Sequence, residues 1–370
     1  GGFGRHADIA HRDQRADAVP LRLGRDLAGL STREMRIVHD FATRSAAEVL
    51  DRHFEGDLAK ALASTWARDA DKEFPRLHAD PDDDRVAGDL GKGPVGSRID
   101  PGRPEREDAK QVIRRAVELG VNFIDTADVY CMDDSDIGHN ERLIAETLDE
   151  LGVRDDVLVA TKGGLVRPEG RWERDGRPEQ LRRACEHSLR MLNADRIGLY
   201  QLHAPDPKVA FADSVGAIAR LYDEGKVAAV GLSNVSLMQL QAALAIVPIT
   251  SVQNRYNPWD RSAELEGLIR YCDLNSITFL PYSPVGGRRR VPLLRESEEL
   301  RSIGQRHGGA SPEELVLAWM LAVSPSLVPI PGAKRIESIE SSVRAESLRL
   351  DDRTRRELEE AFRALPEEVP

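Results

Sequence analysis

"VNFIDTADVY", residues Val121–Tyr130, decides how this chain is read. The run from Val121 to Ile124 has the composition of a buried strand. It stops at Asp125, and Tyr130 follows five residues later. Burying a carboxylate without a partner costs several kcal/mol or forces a large pKa shift. Either the strand ends at the surface, or a positive charge lies close to Asp125.

Working outward, the chain from about Asp108 alternates helical patterns with short apolar runs. Ala109, Val112, Ile113, Ala116 and Val117 fall at helical spacing, and Gly120 ends that helix before "VNFID". Leu143, Ile144, Thr147, Leu148 and Leu151 mark a second helix, expected to be capped by Asn140 and followed by "DVLVAT". Leu181 to Leu189 leads to "RIGLYQLH", and Val215 to Tyr222 leads to "KVAAVGLS". Helices over Leu237–Ile246 and Ala263–Tyr271 precede "ITSVQN" and "ITFLPYS". A last repeat starts at Ser311-Pro312, an N-cap followed by proline at the first helical position, and leads to "SLVPI".

Seven continuous apolar runs in alternation with helices indicate parallel strands covered on both faces. An open doubly wound sheet and a (β/α)8 barrel both fit. The open sheet that binds dinucleotides carries GxGxxG after its first strand. The nearest stretch here, "GKGPVG", contains proline and reads as a loop. The repeat count and the polar residues at strand ends favour the α/β TIM barrel, with its first strand near Gly93–Ile99. Residues 1–88 stand outside this rhythm. They read as an appended N-terminal helical segment closed by the acidic linker "HADPDDDRVAGD", with the barrel domain over 89–370.

Bulk properties narrow the function. The 370 residues are 41% hydrophobic, enough for a large core. The net charge of -11 argues against nucleic acid and against anionic membrane surfaces. No apolar run of about 18 residues is present, and the N-terminal stretch has no secretory h-region. Cys131, Cys185 and Cys272 are far apart and odd in number, as for reduced thiols in a cytoplasmic protein. "YCMDDSDIGHNE" has its glycine misplaced for a calcium loop and no closing acid, so no metal site is expected. The sequence carries no signal that sets an oligomeric state.

The polar residues that end the strands form a set: Asp125, Lys162, His203, Ser233 and Asn234, Gln253, Tyr282 and Ser283. In a barrel they share one mouth. Lys162 beside Asp125 compensates the carboxylate. The same lysine near Tyr130 is expected to lower the phenol's pKa, so that Tyr130 donates a proton to a carbonyl oxygen as hydride reaches the carbon. His203 can orient that carbonyl or share the proton.

These residues occur in stretches that resemble the aldo-keto reductase superfamily, NAD(P)H-dependent oxidoreductases with a (β/α)8 barrel. "NFIDTADVY" resembles the segment carrying the catalytic aspartate and tyrosine, here Asp125 and Tyr130. "VATKGG" matches the catalytic lysine, Lys162, and "LYQLHAPDP" the histidine, His203. "GLSNVS" and "SVQNRYNP" resemble the segments that hold the nicotinamide carboxamide, through Ser233, Asn234 and Gln253. "PYSPVGG" resembles the loop whose tyrosine stacks on the nicotinamide, here Tyr282 with Ser283, Pro284 and Val285. "IPGAKRIESIESS" resembles the segment that grips the adenosine phosphate, implying Gly332, Lys334, Arg335, Ser338 and Ser342. Ser342 stands where many members have asparagine. The likeness runs in order from about Asp89 to the C-terminal end.

Lys334 and Arg335 before a helix start suggest a 2'-phosphate, hence NADPH over NADH. Arg288 to Arg290 offer a clasp over the pyrophosphate. Trp172 and Trp259 are candidates for the wall of a pocket taking a small-molecule carbonyl substrate. Two other classes compete: a barrel that binds NADPH for redox sensing without turnover, and an aldolase using Lys162 as a Schiff-base nucleophile.

Overall fold

The computed structural model describes residues 105–287 and 289–366. The helices and acidic linker expected over 1–88 and the strand expected near 93–99 lie outside these residues, as does Arg288. The described residues begin with α1 (Arg106–Glu118), β1 (Phe123–Asp125), α2 (His139–Leu151) and β2 (Leu158–Gly163). A small antiparallel pair, β3 (Leu165–Val166) with β4 (Glu173–Arg174), follows. Then come α3 (Pro178–Met191), β5 (Leu199–Leu202), α4 (Phe211–Asp223), β6 (Val230–Ser233), α5 (Leu237–Leu244) and β7 (Ser251–Gln253). The last part holds α6 (Ser262–Leu265), α7 (Leu268–Leu274), β8 (Thr278–Phe279), α8 (Val291–Glu296), α9 (Glu298–Arg306), α10 (Pro312–Val323), α11 (Ile336–Arg344) and α12 (Asp352–Arg363).

β1, β2, β5, β6, β7 and β8 pair in parallel in that order, and Leu327 and Ile330 extend the series through parallel bridges to Phe279 and Tyr282. Sequential parallel pairing with a helix between neighbours is the barrel pattern. α11 packs on α1 through Val112, Ala116, Ala333 and Ile339, with an Arg115–Glu340 ion pair at 2.8 Å. The helix after the last parallel segment thus meets the helix before β1, as closure of the helical ring requires. Among the described residues no helix is long and apolar enough to cross a membrane.

The two-residue period of the strands separates two environments. Ile124, Tyr200, Leu202, Val230, Leu232, Val252, Phe279 and Leu327 face the helices and form their core. The alternate positions Ala160, Leu199, Leu280, Val328 and Ile330, with Phe123, Leu158 and Tyr282, form a separate apolar cluster. One pleat further along the same face stand Asp125, Lys162 and Gln201. The register brings this layer together, pairing Lys162 with Gln201, Gln201 with Gly231, and Ser233 with Gln253.

Two helix expectations are corrected. α2 starts from Gly138 at φ 77°, not from an Asn140 cap, because the Asn140 side chain turns inward to Thr126. The single helix expected over 263–271 is split into α6 and α7 by Gly267 at φ 79°, a conformation suited to glycine. Ser311 does cap α10, and Glu314 completes a capping box behind Pro312.

Candidate active site

β1, β2 and β5 end side by side, so their last inward residues meet. Lys162 Nζ donates to Asp125 Oδ2 at 2.5 Å, to the Thr126 carbonyl at 2.9 Å and to Tyr130 Oη at 3.2 Å. Asp125 and Lys162 are both fully buried. Asp125 Oδ1 accepts from Gln201 Nε2 at 3.0 Å and Gln253 Nε2 at 2.8 Å. The carboxylate that opened the problem therefore has a cation and two amides, which meets the requirement for burying charge.

Tyr130 is half-buried, and its ring meets His203 edge-on with centroids 5.8 Å apart. The expected lowering of its pKa is corrected. Burial holds the phenol well above its usual value, and the charge of Asp125 raises it further. The reason is geometric: Lys162 sits closer to Asp125 than to the phenol, so its field at Tyr130 is largely offset. His203 is held well below the usual histidine range by burial and by the Lys162 charge, so its imidazole is neutral. Burial also lowers Lys162, with Asp125 opposing the shift. At neutral pH the cluster presents a protonated phenol and a neutral imidazole beside the Lys162–Asp125 salt bridge.

The rim beside this group is joined by hydrogen bonds. Asn234 Nδ2 donates to Ser233 Oγ at 3.1 Å and to the His203 carbonyl at 2.9 Å, and Tyr282 Oη donates to Asn234 Oδ1 at 2.8 Å. Asn234 and Ser283 hold φ of 58° and 50°, unusual for residues with side chains. Such conformations cluster where a ligand is clamped. Ser283 is anchored by Asn257, which donates to its carbonyl, and Pro284 is buried beside the half-buried Val285.

The stretch "GGLVRPEGRWERDG", expected as a loop after Lys162, contains the β3–β4 pair, and Leu165 of β3 packs in one cluster with Tyr130. Trp172 shares an apolar cluster with Tyr130 and Val129, lies edge-on to His203 at 6.5 Å, and carries the Arg167 guanidinium 4.1 Å from its ring centre. Trp259 is engaged differently. Its indole donates to the Pro366 carbonyl, and its ring lies under Arg290 and against Gly286. Lys334, Arg335 and Gly332 are exposed ahead of α11, whose first turn has no side-chain cap. Ser338 and Ser342 are half-buried on that helix.

The family model for the aldo/keto reductase family matches residues 89–363. This chain belongs to the aldo/keto reductase family. Probable aldo-keto reductase 1 of Glycine max is 32% identical over 303 residues, spanning 74% of this chain and 83% of that protein. Aldo-keto reductase str7 of Strobilurus tenacellus is 32% identical over 302 residues, spanning 72% and 86%. Among solved structures, an aldo/keto reductase from Klebsiella pneumoniae in complex with NADP and acetate superposes with a TM-score of 0.57. It is 27% identical and is covered over 86% of its length by 70% of this chain. As an aldo-keto reductase, the protein is an oxidoreductase of a family that reduces carbonyls with a nicotinamide cofactor.

Sequence reading did not single out Gln201, Asp128 or Glu141, all buried near Lys162. A glutamine inside the otherwise apolar "LYQLH" is the signal that marks Gln201, since a buried amide needs a polar partner. Gly231 makes room for it. A Cβ there would stand 2.8 Å from Gln201 Cγ and 2.3 Å from Ser251 Oγ.

Proposed function

We propose that this aldo-keto reductase reduces an aldehyde or ketone to its alcohol with NADPH, and that Tyr130 is the proton donor. The carrying observation is Lys162 Nζ shared between Asp125 and Tyr130 Oη, with His203 against the same ring. When bound, NADPH supplies the hydride. The phenol of Tyr130, kept neutral by its surroundings, gives its proton to the oxygen of the carbonyl as negative charge grows there. Lys162 at 3.2 Å then stabilises the phenolate left behind. Neutral His203 donates a hydrogen bond that orients the substrate oxygen. Asp125 keeps Lys162 protonated and in place, and the two glutamines keep Asp125 in place.

The residues present fit a dinucleotide. Tyr282 offers a half-buried ring beside the amide of Asn234, and Ser233 lies behind that amide. At the far end, Lys334 and Arg335 are exposed cations with no ion pair among the described residues, next to a helix N-terminus without a side-chain cap. Fixed positive charge at a helix start attracts phosphate, which favours NADPH over NADH. Trp172 is the better candidate for the wall of a pocket for a small-molecule carbonyl, because it shares a cluster with Tyr130. Full burial of Lys162 among three acceptors weighs against its use as a Schiff-base nucleophile. The three cysteines are free and buried, and burial pushes their thiols up to about 12.

The test is steady loss of cofactor absorbance with nitrobenzaldehyde. Tyr130→Phe is expected to lower kcat at least about 100-fold with cofactor affinity retained. Wild-type turnover in that variant refutes Tyr130 as the acid. Cofactor binding with no steady-state turnover of any carbonyl favours the sensing barrel.

A further inference from the structure

The first turn of α2 reaches both catalytic strands. Asn140 Nδ2 donates to Thr126 Oγ1 at 2.8 Å, and Glu141 Oε1 accepts from Thr161 Oγ1 at 2.6 Å. Thr126 directly follows Asp125, and Thr161 directly precedes Lys162. All four tethering side chains are 3% exposed or less. The Thr126 carbonyl also accepts from Lys162 Nζ, and its amide donates to the Ala160 carbonyl at 2.8 Å. Two consecutive helix residues thus hold the flanks of the Asp125–Lys162 pair from outside the barrel, while the pair itself points inward.

We propose that Asn140 and Glu141 are positioning residues that fix Asp125 against Lys162, and through them fix the reach of Lys162 to Tyr130. Packing alone does not call for this arrangement. Glu141 and Thr161 are fully buried polar residues, and well-packed apolar residues often replace buried polar groups without loss of stability. The two buried side-chain hydrogen bonds instead specify one geometry, and a displacement of about 1 Å at a catalytic group can lower the rate about 100-fold.

The clamp also senses pH. Burial pushes Glu141 up to about 7, against the pull of Thr161, Ser188 and the Lys162 charge. The groups facing it are Asp128 from the loop before α2, Lys162 from β2, Cys185 and Ser188 from α3, and Tyr200 from β5. Asp128 is itself held well above the usual carboxylate range by burial and then by Glu141. Glu141 is therefore neutral below about pH 7. Its ionisation adds negative charge beside Lys162 and weakens the lysine's hold on a phenolate at Tyr130.

The inference rests on the proposed carbonyl reduction, and the experiment separates the two. In the full chain, Glu141→Leu is expected to lower kcat about 10–100-fold, with NADPH affinity from cofactor fluorescence within about twofold. Glu141→Gln, which still accepts from Thr161, restores kcat to near wild type below pH 7. It also abolishes the wild-type decline above pH 7. Thr161→Val, which removes the tether with little change in volume, reproduces the loss and serves where Glu141→Leu does not fold. Crystal structures of these variants read the clamp without turnover, through displacement of Lys162 from Asp125. A wild type inactive on every carbonyl sinks the activity, and the crystal structures then decide the clamp. Unchanged kcat in both Glu141→Leu and Thr161→Val overturns it. So does an equal loss of kcat and NADPH affinity, a Glu141→Gln no better than Glu141→Leu, or an unmoved Lys162–Asp125 pair.

Discussion

Lys162→Met tests the buried ion pair on which the whole site depends. Methionine keeps most of the stem volume but removes the bonds to Asp125, the Thr126 carbonyl and Tyr130. Deleting one partner of a buried pair typically costs about 3–5 kcal/mol, because the other charge is left uncompensated. Here Gln201 and Gln253 still donate to Asp125. A hydrogen bond to a charged group contributes about 1.5–3 kcal/mol, so the loss falls near the lower end, about 3 kcal/mol. At about 2–4 °C per kcal/mol for a domain of this size class, the melting temperature drops about 6–12 °C. Asp125→Asn with Lys162→Met removes both charges together and leaves an amide among amides. That double variant is expected within about 1 kcal/mol of wild type, so the coupling between the two sites is about 2 kcal/mol plus whatever Asp125→Asn costs alone. Urea unfolding at neutral pH, followed by tryptophan fluorescence, measures all four proteins of the cycle. A Lys162→Met protein within about 1 kcal/mol of wild type, or a double variant no more stable than the single, refutes the reading of a dry, mutually dependent pair.

Three further outcomes are expected. Glu141→Gln changes how stability depends on pH: the wild-type carboxyl moves from 4.5 to about 7 on folding, so its contribution is full below pH 4.5 and lost as pH rises through 7. By linkage the wild type loses on the order of 3 kcal/mol across that window, and parallel melting curves of the two proteins at pH 7.5 and pH 5 sink this account. Gly231→Ala places a methyl against Gln201 and Ser251, costing about 1–3 kcal/mol by overpacking. It also lowers kcat by disturbing Gln201 on Asp125; unchanged stability and turnover would show that the space is not needed. Exchanging Lys334 and Arg335 for methionine weakens NADPH binding at least about tenfold while leaving NADH nearly untouched, and equal effects on both cofactors would remove the 2'-phosphate assignment.

Much of the site is legible in the chain because its residues sit at strand ends. Asp125, Lys162 and His203 each terminate an apolar run, and a repeating β/α pattern brings such ends together wherever the strands pair in order. The N-cap at Ser311 is equally local, since its partner Glu314 is three residues away. The contacts that escaped notice are long-range. Gln201 lies 76 residues from Asp125, and Glu141 lies 20 from Thr161. Nothing in the local pattern pairs them. Asn140 looked like a helix cap because that is what asparagine does in a short segment. The fold offered its amide a buried hydroxyl instead.

The sequence by itself determined the alternation of strand and helix, the family, and which side chains gather at the barrel mouth. The alternation follows from periodicity, the gathering from residue types that an apolar strand has no other reason to carry, and the family from the resemblance of the motifs. Only the tertiary structure decided the state of those side chains. Burial and the 2.5 Å approach of Lys162 to Asp125 keep Tyr130 a neutral phenol when proximity to a lysine alone would have lowered its pKa. Charge effects depend on distances and desolvation, and both exist only once the chain has folded.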